Sequence, residues 1–212
     1  MWYDVWVRIT KRRLELLGEL SSGMRTVRYG IMDEFFHQTV AEHTARMLEL
    51  ADEFGPDLGL NMNRVRAVIM AHDLPEMEMD CDITSWELAQ DPSLQAVKEG
   101  IERGVVAKLA ARYGDWIAEL FYEYEGQATD VARFVRWLDK YESNLYIMEK
   151  FAQRECPFEW IAHNTQRVVD ATVKFPVMRD VALRRMDEVR PMFERYGRLD
   201  EWGRMRLILV QG

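Results

Sequence analysis

The chain has 212 residues, of which 48% are hydrophobic, so it is long enough and apolar enough to bury a core and is not intrinsically disordered. Its formal net charge of −8 excludes non-specific binding to a nucleic-acid polymer, because such binding needs a basic surface that displaces counterions. Two cysteines, no signal-peptide pattern at the amino terminus and no apolar run near ~20 residues predict a cytoplasmic protein without a membrane anchor.

Apolar residues recur at helical spacing along almost the whole chain, and Gly, Pro and Ser separate the periodic segments. The pattern predicts helices over residues 2–20, 40–54, 64–73, 93–113, 116–126, 130–151, 157–174 and 177–196. Helices therefore account for nearly everything, and the fold class is predicted to be all-α.

The loop after the first predicted helix, and the helix start that follows it, carry the first candidate residues. The predicted loop over residues 23–38 contains a cationic group, Arg25, Arg28 and His37. Thr39 and Glu42 have the spacing of a capping box, in which each side chain bonds the backbone N–H of the other residue. His43 therefore lies in the first helical turn, either as a core histidine or as a metal ligand.

A His-Asp pair with a Glu three residues later is the strongest candidate for a functional site. His72 and Asp73 follow an apolar helical run, and at a helix end both side chains can turn toward one metal ion. Glu76 can reach a water beside that ion. With His43 and Asp139 they form a mixed N/O site that suits Mn²⁺, Co²⁺, Fe²⁺ or Zn²⁺, and Mg²⁺ less well. From the pair alone, the alternative is a hydrogen-bonded core histidine beside a helix-end aspartate.

The predicted helix over residues 130–151 supplies the later carboxylate. Asp139 is next to Leu138 on the apolar side, and a carboxylate there must be ion-paired or metal-bound. Glu142, one turn later, is predicted to orient Asp139 or a neighbouring histidine. Lys140 is predicted to be a solvated charge.

Three segments in this order resemble the HD-domain metal-dependent phosphohydrolases, and within them most closely the bacterial HD-domain 5'-deoxynucleotidases. The segments are Val-Ala-Glu-His-Thr around His43, His-Asp-Leu-Pro-Glu at residues 72–76 and Asp-Lys-Tyr-Glu at residues 139–142. Arg28 followed by Tyr29 is a weaker match to an Arg-aromatic pair that precedes the first histidine. The likeness covers about residues 12–152 of a predicted single HD domain, and residues 153–212 lie outside it.

The resemblance implies a helical bundle that holds one divalent metal ion. The implied ligands are His43, His72, Asp73 and Asp139. Glu76 would orient or deprotonate the attacking water, Arg28 would offset phosphate charge, and Tyr29 would pack on the sugar or base. The family also uses an aspartate near the sugar. Asp82 is the match in residue type but needs a one-residue insertion, because Cys81 occupies the strict offset.

The implied substrate is a deoxynucleotide, and three functions stay open. The nearest relatives remove phosphate from deoxynucleoside 5'-monophosphates, and this 5'-nucleotidase activity is the first prediction. Other compact HD proteins remove the whole triphosphate from dNTPs such as dATP, for which Arg25, His37 and Lys140 would be extra cations. An inactive HD-fold ligand-binding module is the third alternative, and the complete set of ligands with Glu76 argues against it.

Three further segments have predicted roles. Residues 74–92 are predicted to be a long irregular loop that shapes substrate access. In the helix over residues 93–113, the predicted apolar face is Val97, Ile101, Val105, Leu109 and Ala110. Residues 207–210 are a β-prone apolar end that is predicted to pack on the body or on a second subunit. This end and the family resemblance together predict a homo-oligomer.

Overall fold

The computed structural model describes residues 25–28, 37–78, 83–154 and 157–212. The predicted helix over residues 2–20 lies outside this part of the chain. The described part is mostly helical, with nine α-helices and one short pair of β-strands, which confirms the predicted all-α class. None of the helices in the described ranges is long and apolar enough to cross a membrane.

The elements have the following bounds. The helices are α1 (Val40–Phe54), α2 (Met62–His72), α3 (Ser85–Gln90), α4 (Leu94–Tyr113), α5 (Trp116–Gly126), α6 (Asp130–Gln153), α7 (Phe158–Lys174), α8 (Arg179–Arg195) and α9 (Leu199–Gln211). Single turns of 3₁₀ helix occupy Pro56–Leu58, Pro75–Glu78 and Pro176–Met178. The strands β1 (Val27–Arg28) and β2 (Gln38–Thr39) pair antiparallel, with Arg28 opposite Gln38.

The described residues belong to two compact units. Those up to residue 45, together with those in 67–125, form the first unit. Residues 46–66 and the described residues of 126–212 form the second unit. The single-domain organisation stays a prediction.

In the first unit, a capping box fixes the start of α1. The Thr39 backbone N–H and hydroxyl donate to Glu42 Oε2 at 2.7 and 2.9 Å, and the Glu42 N–H donates to Thr39 Oγ1 at 3.1 Å. The Val40 N–H donates to the Thr26 carbonyl at 2.9 Å, next to the β1–β2 pair. The predicted capping box is therefore confirmed, and it holds His43 in the first turn of α1.

In the second unit, α6 and α7 pack side by side around a large buried set of side chains. Polar groups also join the two helices. The Trp137 indole N–H donates to Thr172 Oγ1 at 3.0 Å, and the Asn144 amide donates to Thr165 Oγ1 at 3.0 Å. Buried polar groups are paired in this way because leaving them unpaired would cost the full desolvation free energy. The pairs fix the register of α6, and with it the position of Asp139.

Three details of the sequence prediction are wrong. The predicted loop over residues 74–92 contains the Pro75–Glu78 turn and the helix α3, which begins with a second capping box formed by Thr84 and Glu87. The predicted apolar face of α4 is wrong in its first half, where Val97 and Ile101 are 51% and 40% exposed. The buried residues of this helix, Val105, Val106 and Leu109, lie in its second half. The β-prone carboxyl end is the helix α9, where packing against α7 and α8 overrides local propensity.

Candidate metal centre

Two imidazoles meet where the start of α1 and the end of α2 come together. His43 is fully buried, and its Nε2 lies 3.4 Å from His72 Nε2. His72 Nδ1 lies 2.6 Å from the Ile69 carbonyl, one helical turn earlier, so this nitrogen carries the proton and donates it. In the neutral ring, the lone pair is then on Nε2. An outer hydrogen bond of this kind is the usual support of a metal-ligating histidine.

Asp73 completes a group of three potential ligands. Its Oδ1 lies 3.1 Å from His72 Nε2, and its Oδ2 lies 3.7 Å from His43 Nε2. One ligand atom from each of the three residues lies within 4.8 Å of the other two, and all three residues are buried. A search of the described residues for three or more His, Cys, Asp or Glu side chains close enough to hold one metal ion finds His43, His72 and Asp73.

The Asp73 carboxylate is held ionised although it is buried. Burial alone would raise its pKa, but the interactions of the carboxylate with His72, Arg28 and His43 outweigh burial and hold the pKa well below the usual range. Buried Oδ2 accepts no hydrogen bond from the residues that the structure describes. A buried, ionised oxygen that faces two imidazole nitrogens fits a divalent cation, so the donors present suit the predicted metal.

Arg28 joins this group from β1. It is 8% exposed, and its Nη1 lies 4.0 Å from Asp73 Oδ2. A buried guanidinium beside a carboxylate brings a positive charge to the edge of the metal group. The sequence prediction that Arg28 lies at the site is consistent with this position.

Glu76 lies in the 3₁₀ turn that follows α2. Its backbone N–H donates to the Asp73 carbonyl at 3.1 Å, so the turn fixes its distance from the His-Asp pair. Its Oε1 lies 3.8 Å from Lys98 Nζ on α4. Lys98 also donates to the Ile83 carbonyl at 3.1 Å and lies 3.7 Å from Glu102 Oε1. Burial raises the pKa of Glu102, and Lys98 opposes that change.

Two neighbours of the site were missed by the sequence prediction. Lys98 is 22 positions after Glu76 in the numbering and belongs to no motif; its only sequence signal is the i, i+4 pair with Glu102. The Tyr124 ring on α5 lies 5.3 Å from the His72 ring in an edge-on arrangement. Aromatic residues at helical spacing are ordinary core residues, so no pattern in the sequence marked Tyr124.

The second unit contains the remaining predicted ligand, Asp139. This residue is buried on α6, and the Lys140 ammonium donates to its Oδ2. Lys140 is 11% exposed in its side chain, so the prediction that it is a solvated charge is wrong. Burial, with the nearby charges of Arg136 and Arg167, lowers the pKa of Lys140 to about 7. Glu142 is also buried, and its Oε1 lies 2.6 Å from Arg46 Nε.

Four residues with predicted contacts to the substrate remain. Arg25 and His37, the predicted extra cations for a triphosphate, are exposed. Tyr29 and Asp82 lie outside the residues that the structure describes, so their predicted contacts with the sugar or base stay predictions.

A comparison with known families matches residues 24–176 to the family described as HD domain. The matched span contains the His43, His72 and Asp73 group and also Asp139. No curated protein and no solved structure matches the chain.

Proposed function

The chain belongs to the HD-domain family of metal-dependent phosphohydrolases, and we propose that its own substrate is a deoxynucleotide. The observation that carries the proposal is the buried group of His43, His72 and Asp73, with Arg28 on one side and Glu76 in the following turn. A metal group, a phosphate-binding cation and a base in one region are the requirements of metal-assisted phosphate-ester hydrolysis.

The ligands proposed for one divalent ion are His43, His72, Asp73 and, from the second unit, Asp139. Two nitrogen and two oxygen donors suit Mn²⁺, Co²⁺, Fe²⁺ or Zn²⁺ better than Mg²⁺. When bound, the ion supplies Lewis acidity, which polarises a phosphoryl oxygen and lowers the pKa of water.

The protein residues then have separate tasks. Glu76 accepts the proton of the attacking water, and its carboxylate is held near Lys98 for that purpose. Arg28 donates to oxygens of the phosphate and offsets their negative charge. Tyr29 packs on the sugar or base, and Asp82 lies near the sugar.

The preferred substrate is a deoxynucleoside 5'-monophosphate. The water oxygen bonds to phosphorus, the bond from phosphorus to the 5'-oxygen breaks, and the leaving oxygen takes a proton. The products are a deoxynucleoside and orthophosphate. The homo-oligomeric state and the cytoplasmic location stay predictions that belong with this function.

The test is product analysis of the metal-loaded protein with each dNMP and each dNTP in separate reactions. Chromatography resolves nucleoside, orthophosphate, pyrophosphate and triphosphate, and Glu76→Gln is the control for contaminating phosphatase. Nucleoside plus orthophosphate from dNMPs alone is the expected result. No turnover of any nucleotide by protein with bound metal would overturn the proposal and favour an inactive ligand-binding module.

A dNTP triphosphohydrolase is the second candidate, and one observation favours it. The buried ammonium of Lys140 touches Asp139 and lies in the charge field of Arg136 and Arg167. Extra cations beside a proposed metal ligand suit a substrate with three phosphates better than a substrate with one. Release of intact triphosphate from dNTPs in the same product analysis would select this candidate.

A further inference from the structure

An arginine on α1 is engaged by two carboxylates of α6. Arg46 lies on the part of α1 that belongs to the second unit, as α6 does. Its Nε lies 2.6 Å from Glu142 Oε1, and its Nη1 and Nη2 donate to Glu149 Oε2 and Oε1 at 3.0 Å each. All three guanidinium nitrogens therefore contact a carboxylate oxygen, and the two parallel bonds to Glu149 have the geometry that makes such pairs strong and directional. We call Arg46, Glu142 and Glu149 the ion triad.

The inner member of the ion triad is a buried charge. The Glu142 side chain is 0% exposed, whereas the side chains of Arg46 and Glu149 are 33% and 42% exposed. Taking a carboxylate out of water costs desolvation free energy, and a buried ion pair is often no more stable than an apolar pair of similar size. The buried position of Glu142 is therefore better explained by the geometry that the pair imposes on α6 than by stability.

The ion triad lies on a stripe of α6 that begins with Asp139. Asp139, Glu142, Tyr146 and Glu149 are spaced by three, four and three residues, so they follow one side of the helix. Arg46 reaches three of these four residues, because its Cζ also lies 6.0 Å from the centroid of the Tyr146 ring. Contacts that span seven residues of one stripe fix the rotation of α6 and its position along its axis. Asp139 is one helical turn before Glu142, so its place against this part of α1 is fixed as well.

We propose that Arg46 is a positioning residue for Asp139 and that it acts through Glu142. The inference rests on the proposed function, in which Asp139 is a metal ligand. A ligand that is held in place before the ion arrives loses little freedom on binding, so the ion triad raises the affinity for the metal. This role requires no contact between Arg46 and the ion or the substrate.

Titration with Co²⁺ tests the inference, because the visible absorption of this ion reports its affinity and its coordination together. We expect Arg46→Gln to weaken Co²⁺ binding ~10-fold, the lower end of the usual effect of removing a residue that orients a ligand. The absorption spectrum should shift toward the spectrum of Asp139→Asn. Arg46→Lys keeps the charge without the planar fork and should recover part of the affinity.

Arg66→Gln is the matched control. It makes the same change in an exposed pair between α2 and α1, in which Arg66 Nη2 lies 2.6 Å from Asp52 Oδ1. The Arg66 and Asp52 side chains are 45% and 54% exposed, so this pair holds no buried charge. Arg66→Gln should bind Co²⁺ with the affinity and the spectrum of the wild type.

A double-mutant cycle separates positioning from a general loss of structure. If Arg46 acts through Asp139, Arg46→Gln weakens Co²⁺ binding in the wild-type background and has almost no further effect in the Asp139→Asn background. Equal losses in the two backgrounds would overturn the inference. Circular dichroism shows whether each variant is folded, and Arg46→Lys is taken through the same cycle if Arg46→Gln does not fold.

Three further results would also overturn the inference. They are no Co²⁺ binding by the wild type, no effect of Asp139→Asn on that binding, and wild-type affinity in both Arg46 variants. None of these measurements uses a nucleotide, so the inference and the proposed function can fail separately. Coupling between Arg46 and Asp139 in a protein that hydrolyses no nucleotide would contradict only the proposed function, whereas hydrolysis of dNMPs without that coupling would contradict only the inference.

Discussion

At the scale of single residues, Asp73 and Glu76 are neighbours with different surroundings. Asp73 faces two imidazoles and is held ionised, whereas Glu76 faces Lys98. We expect Asp73→Asn to lose both metal and turnover, because the neutral amide is a poor ligand. Glu76→Gln should keep the metal and lose about 10²–10⁴-fold in kcat, the usual contribution of a general base.

The measurement is elemental analysis of each dialysed variant, alongside kcat for the best substrate from the product analysis. Wild-type metal content in Asp73→Asn would contradict its assignment as a ligand. Unchanged kcat in Glu76→Gln would contradict its assignment as the base.

The second prediction at this scale is that Lys98 is a positioning residue for Glu76. Its ammonium lies near the carboxylates of Glu76 and Glu102, and a nearby cation favours the ionised form of both. Lys98→Met keeps the unbranched shape and most of the length of the side chain and removes the charge. We expect about a tenfold fall in kcat, unchanged metal content and an acidic limb of the kcat profile moved to higher pH.

The check is kcat measured across pH, with Lys108→Met as the matched control. Lys108 lies on the same helix, α4, and is exposed. A Lys98→Met profile that superimposes on the wild-type profile would show that Lys98 has only a structural role.

The residues of the site were predictable to different degrees. His43, His72 and Asp73 belong to spaced motifs, and the structure brings them together. Lys98 and Tyr124 reach the site only through tertiary packing, so no local pattern marks them. Lys140 was mispredicted for the same reason, because its burial comes from tertiary packing that no local pattern marks.

At the scale of elements, the capping box of α1 connects helix stability to the metal centre. Thr39→Ala removes the cap one turn before His43, so we expect about 1 kcal/mol of lost stability and weaker metal binding. For a chain of this length, that loss corresponds to a fall in Tm of about 2–4 °C. Differential scanning calorimetry and metal titration measure the two effects.

Thr84→Ala is the control for this prediction. Thr84 and Glu87 form an equivalent capping box at α3, but none of the proposed metal ligands lies on that helix. Thr84→Ala should lower Tm by a similar amount and leave metal affinity unchanged. Equal metal affinity in Thr39→Ala and the wild type would show that the α1 cap has no effect on the metal centre.

The elements themselves show what sequence patterns can and cannot give. The long helices α1 and α7 follow directly from 3.6-residue periodicity, because one face of each is buried, whereas α6 is buried on all sides over residues 141–148. The short helix α3 was missed although Thr84 and Glu87 have the capping-box spacing, since a six-residue helix has too little periodicity to detect. At α9, apolar residues typical of a strand are helical because of packing on α7 and α8.

At the scale of the whole molecule, the net charge and the positions of single charges limit different kinds of binding. The net charge of −8 excludes non-specific binding to nucleic acid, and that exclusion depends on the average surface. Within this acidic chain the fold still buries Arg28 beside the metal group, with its Nη1 4.0 Å from Asp73 Oδ2. Total charge therefore limits the class of polymer that binds, whereas the fold determines which small anion can bind.

The free energy of unfolding of the whole chain should depend on Tyr141 at alkaline pH. Burial raises the pKa of Tyr141 to about 12, and the hydrogen bond from Arg185 Nε to its hydroxyl, at 3.3 Å, offsets only part of that effect. An unfolded tyrosine ionises near pH ~10, so above that pH the unfolded state binds fewer protons than the folded state. The contribution of Tyr141 to the free energy of unfolding is therefore fully present below pH ~10, and it is lost as the pH rises toward the folded-state pKa.

Urea unfolding of the wild type and Tyr141→Phe between pH 9 and 11.5 measures this effect. The stability of the wild type relative to the variant should fall by about 2 kcal/mol over that interval, because phenylalanine has no proton to lose. Titration of every other group is shared by the two proteins and cancels in the difference. A difference that stays constant with pH would mean that the Tyr141 hydroxyl is as easily ionised in the folded protein as in the unfolded chain. In that case the stacked pair of Trp137 and Tyr141 rings would be open to solvent and not part of the buried face of α6.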